Sequence, residues 1–326
     1  VTLLTARLEQ LYEIGATRIG GSPEEDAAHE LAAGWMREAG LAVSVDLAGN
    51  LVGRRGKPQV WSGSHLDSVP DGGRFDGALG VVLALEAARR LDCPLAVVAF
   101  RDEERGCAGS RAFVAAGELP GAFLEAHIEQ GPVLDRLDAP LGIVTTIFGQ
   151  AQGEVVFGGR ADHAGTTPMS VRDDALVAAA EFVLGVRGAP RGSSVATVGA
   201  LRVEPGVSNV VPARVVVSVD ARAESPGELD ALVERIGFVP ALRSEPVAMS
   251  GAPLEALRLE APGAPELPSG AGHDAAVLAN AGVPTAMLFV RSRNGGASHS
   301  AAELSAPADI EQALETLLRV IARIAS

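Results

Sequence analysis

The chain has 326 residues, 47% of them hydrophobic, with a net charge of −14 and two cysteines. That length suits two domains rather than one small core; the negative charge argues against nucleic acid as a partner, which requires Lys and Arg against phosphates; and no apolar run reaches the roughly 18 residues of a membrane span. Lys57 is the single lysine and lies in no Walker sequence, while Cys93 and Cys107 give no disulfide framework and no leader pattern is visible at the start, so the expected compartment is the cytoplasm.

The first 40 residues read as helices, with helical apolar spacing over 24–39 and Gly40 as a stop. Stretches 41–45 and 58–63 read as strands, the second leading into a polar, glycine-rich loop over 64–77. Helix returns at 81–91. The run 95–100 is wholly apolar, the pattern of a strand buried on both faces, and it stops abruptly at Arg101-Asp102-Glu103-Glu104. Open α/β sheets place their sites at such strand ends. The character changes near Ile147: strand 153–158, helix 173–186, strands 194–203 and 210–222, helix 228–236 and strand 245–250 give the β-α-β-β-α-β order of a small two-layer α+β unit. A buried strand at 285–290 and an amphipathic helix at 309–324 then resume the first pattern. The expected fold is α/β, with a discontinuous domain (1–147 and 256–326) built on a twisted, mostly parallel sheet flanked by helices. A ferredoxin-like α+β domain (148–255) is inserted into it.

Of six histidines, His29 lies on a helical pattern and reads as a solvated surface residue. The other five, His65, His127, His163, His273 and His299, sit in irregular stretches rich in Gly, Ser or carboxylates, a distribution that favours metal or acid–base work. In Ser64-His65-Leu66-Asp67 the His and Asp are two apart, so both can leave a strand on one face, and Asp67 can tie down the second ring nitrogen of a ligating His65. Asp76 follows eleven residues after His65, among glycines that let its backbone approach a metal. The adjacent carboxylates of Glu103 and Glu104 repel one another unless solvated or neutralised. A dimetal site gives the pair a purpose, with one Glu binding metal and the other taking a proton from water. His127 and His299 each stand beside small residues, completing a set of three His with carboxylates that suits Zn2+ and that Mn2+ or Co2+ also tolerate.

At these residues the sequence resembles the M20 metallopeptidase-type amidohydrolases, and within them the branch of N-carbamoyl-L-amino acid hydrolases, yeast-type β-ureidopropionases and allantoate amidohydrolases. The matching segments are GSHLDSVPDGGRFDGALGV, FRDEERG, HIEQGPVLD, ADHAGTTPM, GVSNVVPARVVVSVDAR, PSGAGHDA and GASHS, in the family's order along most of the chain. The resemblance implies that Asp76 bridges two divalent metal ions, with His65 and His127 completing one site and Glu104 and His299 the other. Glu103 is then the general base and His163 polarises the scissile carbonyl. Asn209, Arg222, His273 and Gln130 contact substrate, Arg222 through the two-pronged donors that match a carboxylate. For Arg222 the residues alone leave open a strand-end salt bridge, and for His163 a surface pair with Asp162. His127, where many M20 peptidases carry a carboxylate, points to the carbamoylase branch. The inserted domain is implied to dimerise, and some substrate groups can come from the neighbouring subunit. Segments 105–126 and 250–268 are shorter than in that branch, and such loops shape substrate pockets.

The expected function is metal-dependent hydrolysis of the carbamoyl C–N bond of N-carbamoyl-L-amino acids or similar ureido acids. Allantoate amidohydrolase is the nearest rival, an M20 peptidase or N-acyl amino acid hydrolase a third reading, and a non-catalytic binding protein on the same fold a fourth. The last predicts loss of a ligand or the base, and none is lost.

Overall fold

The computed structural model describes residues 2–117 and 119–325. Val1 and Glu118, within the expected first-domain stretch 1–147, and Ser326 lie outside the described residues. In chain order the elements are α1 (Leu3–Ile14), α2 (Pro23–Glu38), β1 (Ala42–Val45), β2 (Leu51–Arg55), β3 (Val60–His65), α3 (Ala78–Arg90), β4 (Leu95–Phe100), α4 (Ala108–Ala116), β5 (Ala122–Ile128), α5 (Val133–Arg136) and β6 (Leu141–Ile147). Then come β7 (Gly149–Gly158), α6 (Ala175–Gly188), β8 (Val195–Glu204), β9 (Arg214–Ala223), α7 (Pro226–Ile236) and β10 (Leu242–Ser244). The chain closes with β11 (Val247–Ala248), α8 (Ala252–Glu260), β12 (Glu266–Ser269), α9 (Asp274–Asn280), β13 (Thr285–Val290) and α10 (Pro307–Ile324).

Two compact units result, Val1–Ile147 with Ala248–Ser326, and Phe148–Val247. Residues 248–255, which the sequence pattern assigns to the insertion, group with the larger unit, because Ser250 and Thr285 exchange backbone hydrogen bonds of 2.9 and 3.1 Å. Stretch 245–250 is accordingly not one strand: the small sheet takes β10 upstream of it, and β11 joins the large sheet.

The large sheet runs β1-β2-β4-β3-β5-β13-β6-β11, with β12 also paired to β6. Its centre, β4-β3-β5-β13, is parallel, and all four strands are buried along their whole length. Their unbroken apolar character follows from having both faces covered. The strand at 60–65 runs through His65, two residues beyond its apolar pattern, because Ser64 and His65 continue the pairing with Ala99 and Phe100. β2 has no counterpart in the sequence reading. It alternates weakly and is defined by antiparallel partners on both sides. α2 starts on a Ser22 cap with Pro23 in its first turn and three acidic residues there, which satisfies and charge-matches a helix N-terminus. His29 is not solvated: it shares the buried stripe of α2 with Glu25, Ala28 and Ala32, and its ring bonds the Glu25 carbonyl at 3.0 Å. Among the described residues no helix is long and apolar enough to cross a membrane.

The smaller unit is a four-stranded antiparallel sheet in the order β10-β7-β9-β8, covered by α6 and α7. That is the ferredoxin-like order. Ala151, Val219, Ala221, Leu229, Leu232 and Ile236 form its core. β7 begins at Gly149, four residues ahead of its alternating pattern, where the pairing with β9 already holds Gly149 opposite Ala223.

Candidate metal centre

Parallel β3, β4 and β5 end at one edge of the sheet, which brings His65, the Arg101-Asp102-Glu103-Glu104 turn and His127 together. The loop before α3 supplies Asp76 and the loop after β13 supplies His299. Asp76 is at the centre. Its Oδ1 lies 3.2 Å from His127 Nε2 and 3.6 Å from His65 Nε2, and its Oδ2 lies 3.5 Å from His299 Nε2. The same His299 nitrogen is 3.5 Å from Glu104 Oε2. Of three groups among the described residues that could each hold a cation, His65–Asp76–His127, Glu125–His127–His273 and Asp76–Glu104–His299, the first and last share Asp76. Two buried donor atoms in this cluster, His65 Nε2 and Glu104 Oε1, have no hydrogen-bond partner among the described residues. Buried polar atoms are rarely left so, and a cation would satisfy both. The donor set, imidazole nitrogen and carboxylate oxygen, fits a divalent metal.

Electrostatics follow from the crowding of acids and imidazoles. Burial depresses the His127 imidazolium, but the Asp76 carboxylate and Glu125 outweigh it and leave its pKa at about 9. His65 is likewise pushed down by burial and lifted further by Glu103, Asp67 and Asp76, ending well above the ordinary value. Asp76 is raised by burial yet held well below the carboxylate range by His127 and His65. Burial raises Glu103, His65 pulls it back and Glu104 pushes it up, giving about 7. Glu104 is raised for the same first reason.

Around these groups stands a layer of braces. Asp67 Oδ1 lies 3.2 Å from His65 Nδ1 and accepts the Glu103 N–H at 3.1 Å, while its Oδ2 accepts the Glu104 N–H at 3.1 Å. His127 Nδ1 bonds the Ile128 carbonyl at 2.9 Å, which aims Nε2 at Asp76. Gln130, with φ +58, donates from Nε2 to Asp76 Oδ2 at 2.7 Å. His273 is buried with its ring edge-on to His127 at 4.6 Å, and its Nε2 meets Ser269 Oγ at 2.9 Å. Three participants are absent from the sequence reading. Glu303 accepts backbone N–H groups of Phe75, Asp76 and His299. Glu125 accepts from Ser64 Oγ and the Ala275 N–H. Arg18 buries its guanidinium against the Leu66 and Gly15 carbonyls, where its charge acts on Asp67, Glu303 and Asp76. A carboxylate two residues before His127 inside a fully buried strand was the available signal for Glu125.

His163, Asn209 and Arg222 belong to the smaller unit. His163 pairs with Val210 in an isolated bridge, and the Ala164 N–H donates to the Asn209 carbonyl at 3.0 Å, so His163 and Asn209 are neighbours. His163 Nδ1 accepts the N–H groups of Gly165 and Thr166 at 3.0 and 3.2 Å. The neutral ring therefore carries its proton on Nε2 and presents a donor there. Asp162 pairs with Arg160 at 2.8 Å rather than with His163. Arg222 makes the strand-end salt bridge, gripping Asp220 at 2.9 and 3.0 Å. It stands near the far end of β9 from Asn209.

Residues 61–323 match the model of peptidase family M20/M25/M40. The chain is 36% identical to the N-carbamoyl-L-amino acid amidohydrolase of Geobacillus stearothermophilus, covering 99% of this chain and 98% of that protein. It is 30% identical to the allantoate amidohydrolase of Bacillus subtilis, covering 99% and 97%. The alignment with the first spans 407 residues against 326 here, so that relative carries segments this chain lacks. Among solved structures, the hydantoinase/carbamoylase family amidase of Burkholderia multivorans superposes with a TM-score of 0.87 at 30% identity, over 99% of this chain and 97% of that one. With a family model covering most of its length and relatives similar from end to end, the chain belongs to peptidase family M20/M25/M40.

Proposed function

We propose that the protein hydrolyses the carbamoyl C–N bond of N-carbamoyl-L-amino acids or similar ureido acids, giving amino acid, ammonia and carbon dioxide. The observation that carries this reading is Asp76, whose two oxygens face different sets of metal-type ligands, with Glu103 beside them. His65, Asp76 and His127 would hold one divalent metal ion, and Asp76, Glu104 and His299 the other. Zn2+ suits these donors, and Mn2+ or Co2+ can replace it. Bound there, the metals supply Lewis-acid polarisation and acidify water.

Glu103 takes a proton from the attacking water, whose oxygen bonds to the carbamoyl carbon. Glu103 then passes that proton to the leaving nitrogen as the C–N bond breaks, and the residual carbamic acid loses carbon dioxide. A single carboxyl that accepts a proton and then returns it serves as base and then acid. His163, with its proton on Nε2, is assigned to the developing oxyanion. Asn209 and Arg222 are assigned to the substrate carboxylate, and Gln130 and His273 to further substrate contacts. Arg214 to Arg222 along β9 is eight steps, about 26 Å at strand rise, with Asn209 beyond the start. A small carboxylate gripped by both residues requires two copies of the smaller unit, which supports a homodimer. The free edge of β8, with Val195 and Leu201 exposed, supports the same reading. The free thiols of Cys93 and Cys107 support a cytoplasmic location.

The test is ammonia release by metal-supplemented protein from a panel of N-carbamoyl-L-amino acids, with allantoate, dipeptides and N-acyl amino acids alongside. Turnover of carbamoyl substrates is expected, and Glu103→Ala should lower it by about 10²–10⁴-fold while metal content is kept. Activity confined to dipeptides or acyl amino acids would overturn the reading. Preference for allantoate would move the protein to the neighbouring activity that its Bacillus subtilis relative carries.

A further inference from the structure

We infer that Glu303 is a positioning residue for the candidate metal centre, holding the backbones of Asp76 and His299 in fixed relation so that both can serve the second cation. The inference rests on the metal-centre reading above. Glu303 Oε2 accepts the N–H of Phe75 at 3.0 Å and of Asp76 at 3.3 Å, and Oε1 accepts the N–H of His299 at 3.0 Å. One buried carboxylate thus joins two ligand-bearing loops that are 223 residues apart in sequence.

Three observations make this more than ordinary loop packing. His299 has φ +54, a conformation that disfavours residues with a Cβ, and its side chain is 50% exposed, so packing does little to orient the ring. Its direction is set chiefly by where its backbone is held. Space for the Glu303 carboxylate is kept open on the other side by Gly73, whose Cβ, if present, would lie 1.9 Å from that carboxylate. Finally, the three bonds come from both oxygens of one group, which only a carboxylate can offer: an amide in its place has one acceptor and sets an NH2 against a backbone N–H. The hydrogen bonds Glu303 makes to Phe75, Asp76 and His299 are to their backbones, so it acts through the loops it joins.

Calorimetric titration of metal-free protein with Mn2+ tests this. Wild type should show two binding steps. In Glu303→Gln the Asp76–Glu104–His299 step should weaken by about 10–100-fold, the range for removing a group that orients a ligand. The His65–Asp76–His127 step should change far less, with the far-UV circular dichroism of the metal-free protein unchanged. In a double-mutant cycle, Glu303→Gln added to His299→Ala should weaken the second step by less than it does in wild type, since only the hold on Asp76 is then left to lose. Gly73→Ala, which presses on the carboxylate from outside, should reproduce the selective loss, and it decides the matter should Glu303→Gln fail to fold. Equal weakening of both steps, no weakening, or additivity with His299→Ala would overturn the inference. A wild-type protein that binds no Mn2+ would instead remove the metal-centre reading, and this inference with it.

Discussion

Gly77→Ala is the sharpest probe of how closely the metal ligands are built into the backbone. Gly77 lies between Asp76 and the start of α3, with φ 62 and ψ −52, a conformation open to glycine and costly to other residues. A Cβ at this position would fall 2.4 Å from His65 Cε1 and 2.5 Å from each ring nitrogen, while its backbone nitrogen lies 3.2 Å from His127 Nε2. The strain of a disfavoured backbone is about 1–3 kcal/mol, and overpacking a tight site adds about 1–3 kcal/mol. The expected destabilisation of metal-free protein is therefore about 2–6 kcal/mol, read by urea unfolding. Relief of the clash requires the His65 ring to move, so Mn2+ or Zn2+ affinity should fall at least about tenfold, read by metal titration and metal content of the purified protein. Gly237→Ala separates the two contributions: it has φ +77 at the end of α7, with nothing within 4 Å of the new Cβ, so only the backbone cost of about 1–2 kcal/mol applies. A Gly77→Ala protein that binds metal as wild type does, and is no less stable than Gly237→Ala, would refute the argument.

Two further outcomes follow from the same geometry. Asp67→Ala removes the acceptor for two backbone N–H groups and the partner of His65 Nδ1; it should cost about 1–3 kcal/mol for each buried group left unpaired and about 10–100-fold in metal affinity, and unchanged affinity in titration would count against Asp67 as a brace. Metal uptake by metal-free protein at pH 7 should release protons, because His127 at about 9 and the raised His65 must become neutral to ligate. Affinity should therefore climb with pH up to about 9, as read by calorimetry in buffers of different ionisation enthalpy. The sign for the metal-free fold is opposite: the raised His127 stabilises it fully below its unfolded pKa of about 6.5, and that contribution is lost as pH rises through about 9. Absence of proton release would refute the charge assignment.

Much of the fold could be read from periodicity. The run 95–100 and the strand at 285–290 are visible because both faces of a central parallel strand demand unbroken apolar residues, and the structure buries both throughout. The closing helix is equally plain, since an 18-residue helix with one buried stripe must repeat its apolar positions at helical spacing. β2 escaped because Leu51, Val52 and Gly53 are made a strand by pairing on both sides, with the neighbouring β1 and with the more distant β4, rather than by their own pattern. His29 misled because its position on the buried stripe depends on which way α2 is rotated, and the residues around it, Glu25 and Glu30, look solvent-facing.

The candidate site divides along the same physical line. A candidate ligand or base is a choice of residue type at a place where regular structure stops, so His65, Glu103, Glu104 and His127 stand out near the ends of apolar runs, and Asp76 and His299 stand out in glycine-rich loops. A brace has no such mark. Glu303 lies in a short polar stretch after His299 and looks like a solvated loop residue; it becomes something else only because Phe75 and Asp76 arrive from the other end of the chain to share its oxygens. Arg18 sits in an unremarkable stretch between two helices, yet it is buried beside three carboxylates whose summed charge makes a buried guanidinium tolerable. Glu125 is the intermediate case: a carboxylate inside a buried strand is visibly out of place, but only the Ser64 hydroxyl and the Ala275 N–H explain why it is stable there. Residue type thus announces the groups that do chemistry, whereas the groups that hold them are defined by contacts up to 228 residues apart. On the proposed reading, the second set decides whether the first can hold two metal ions at once, because Asp76 would serve both only while Glu303 and the Asp67 brace keep the loops on either side of it in place.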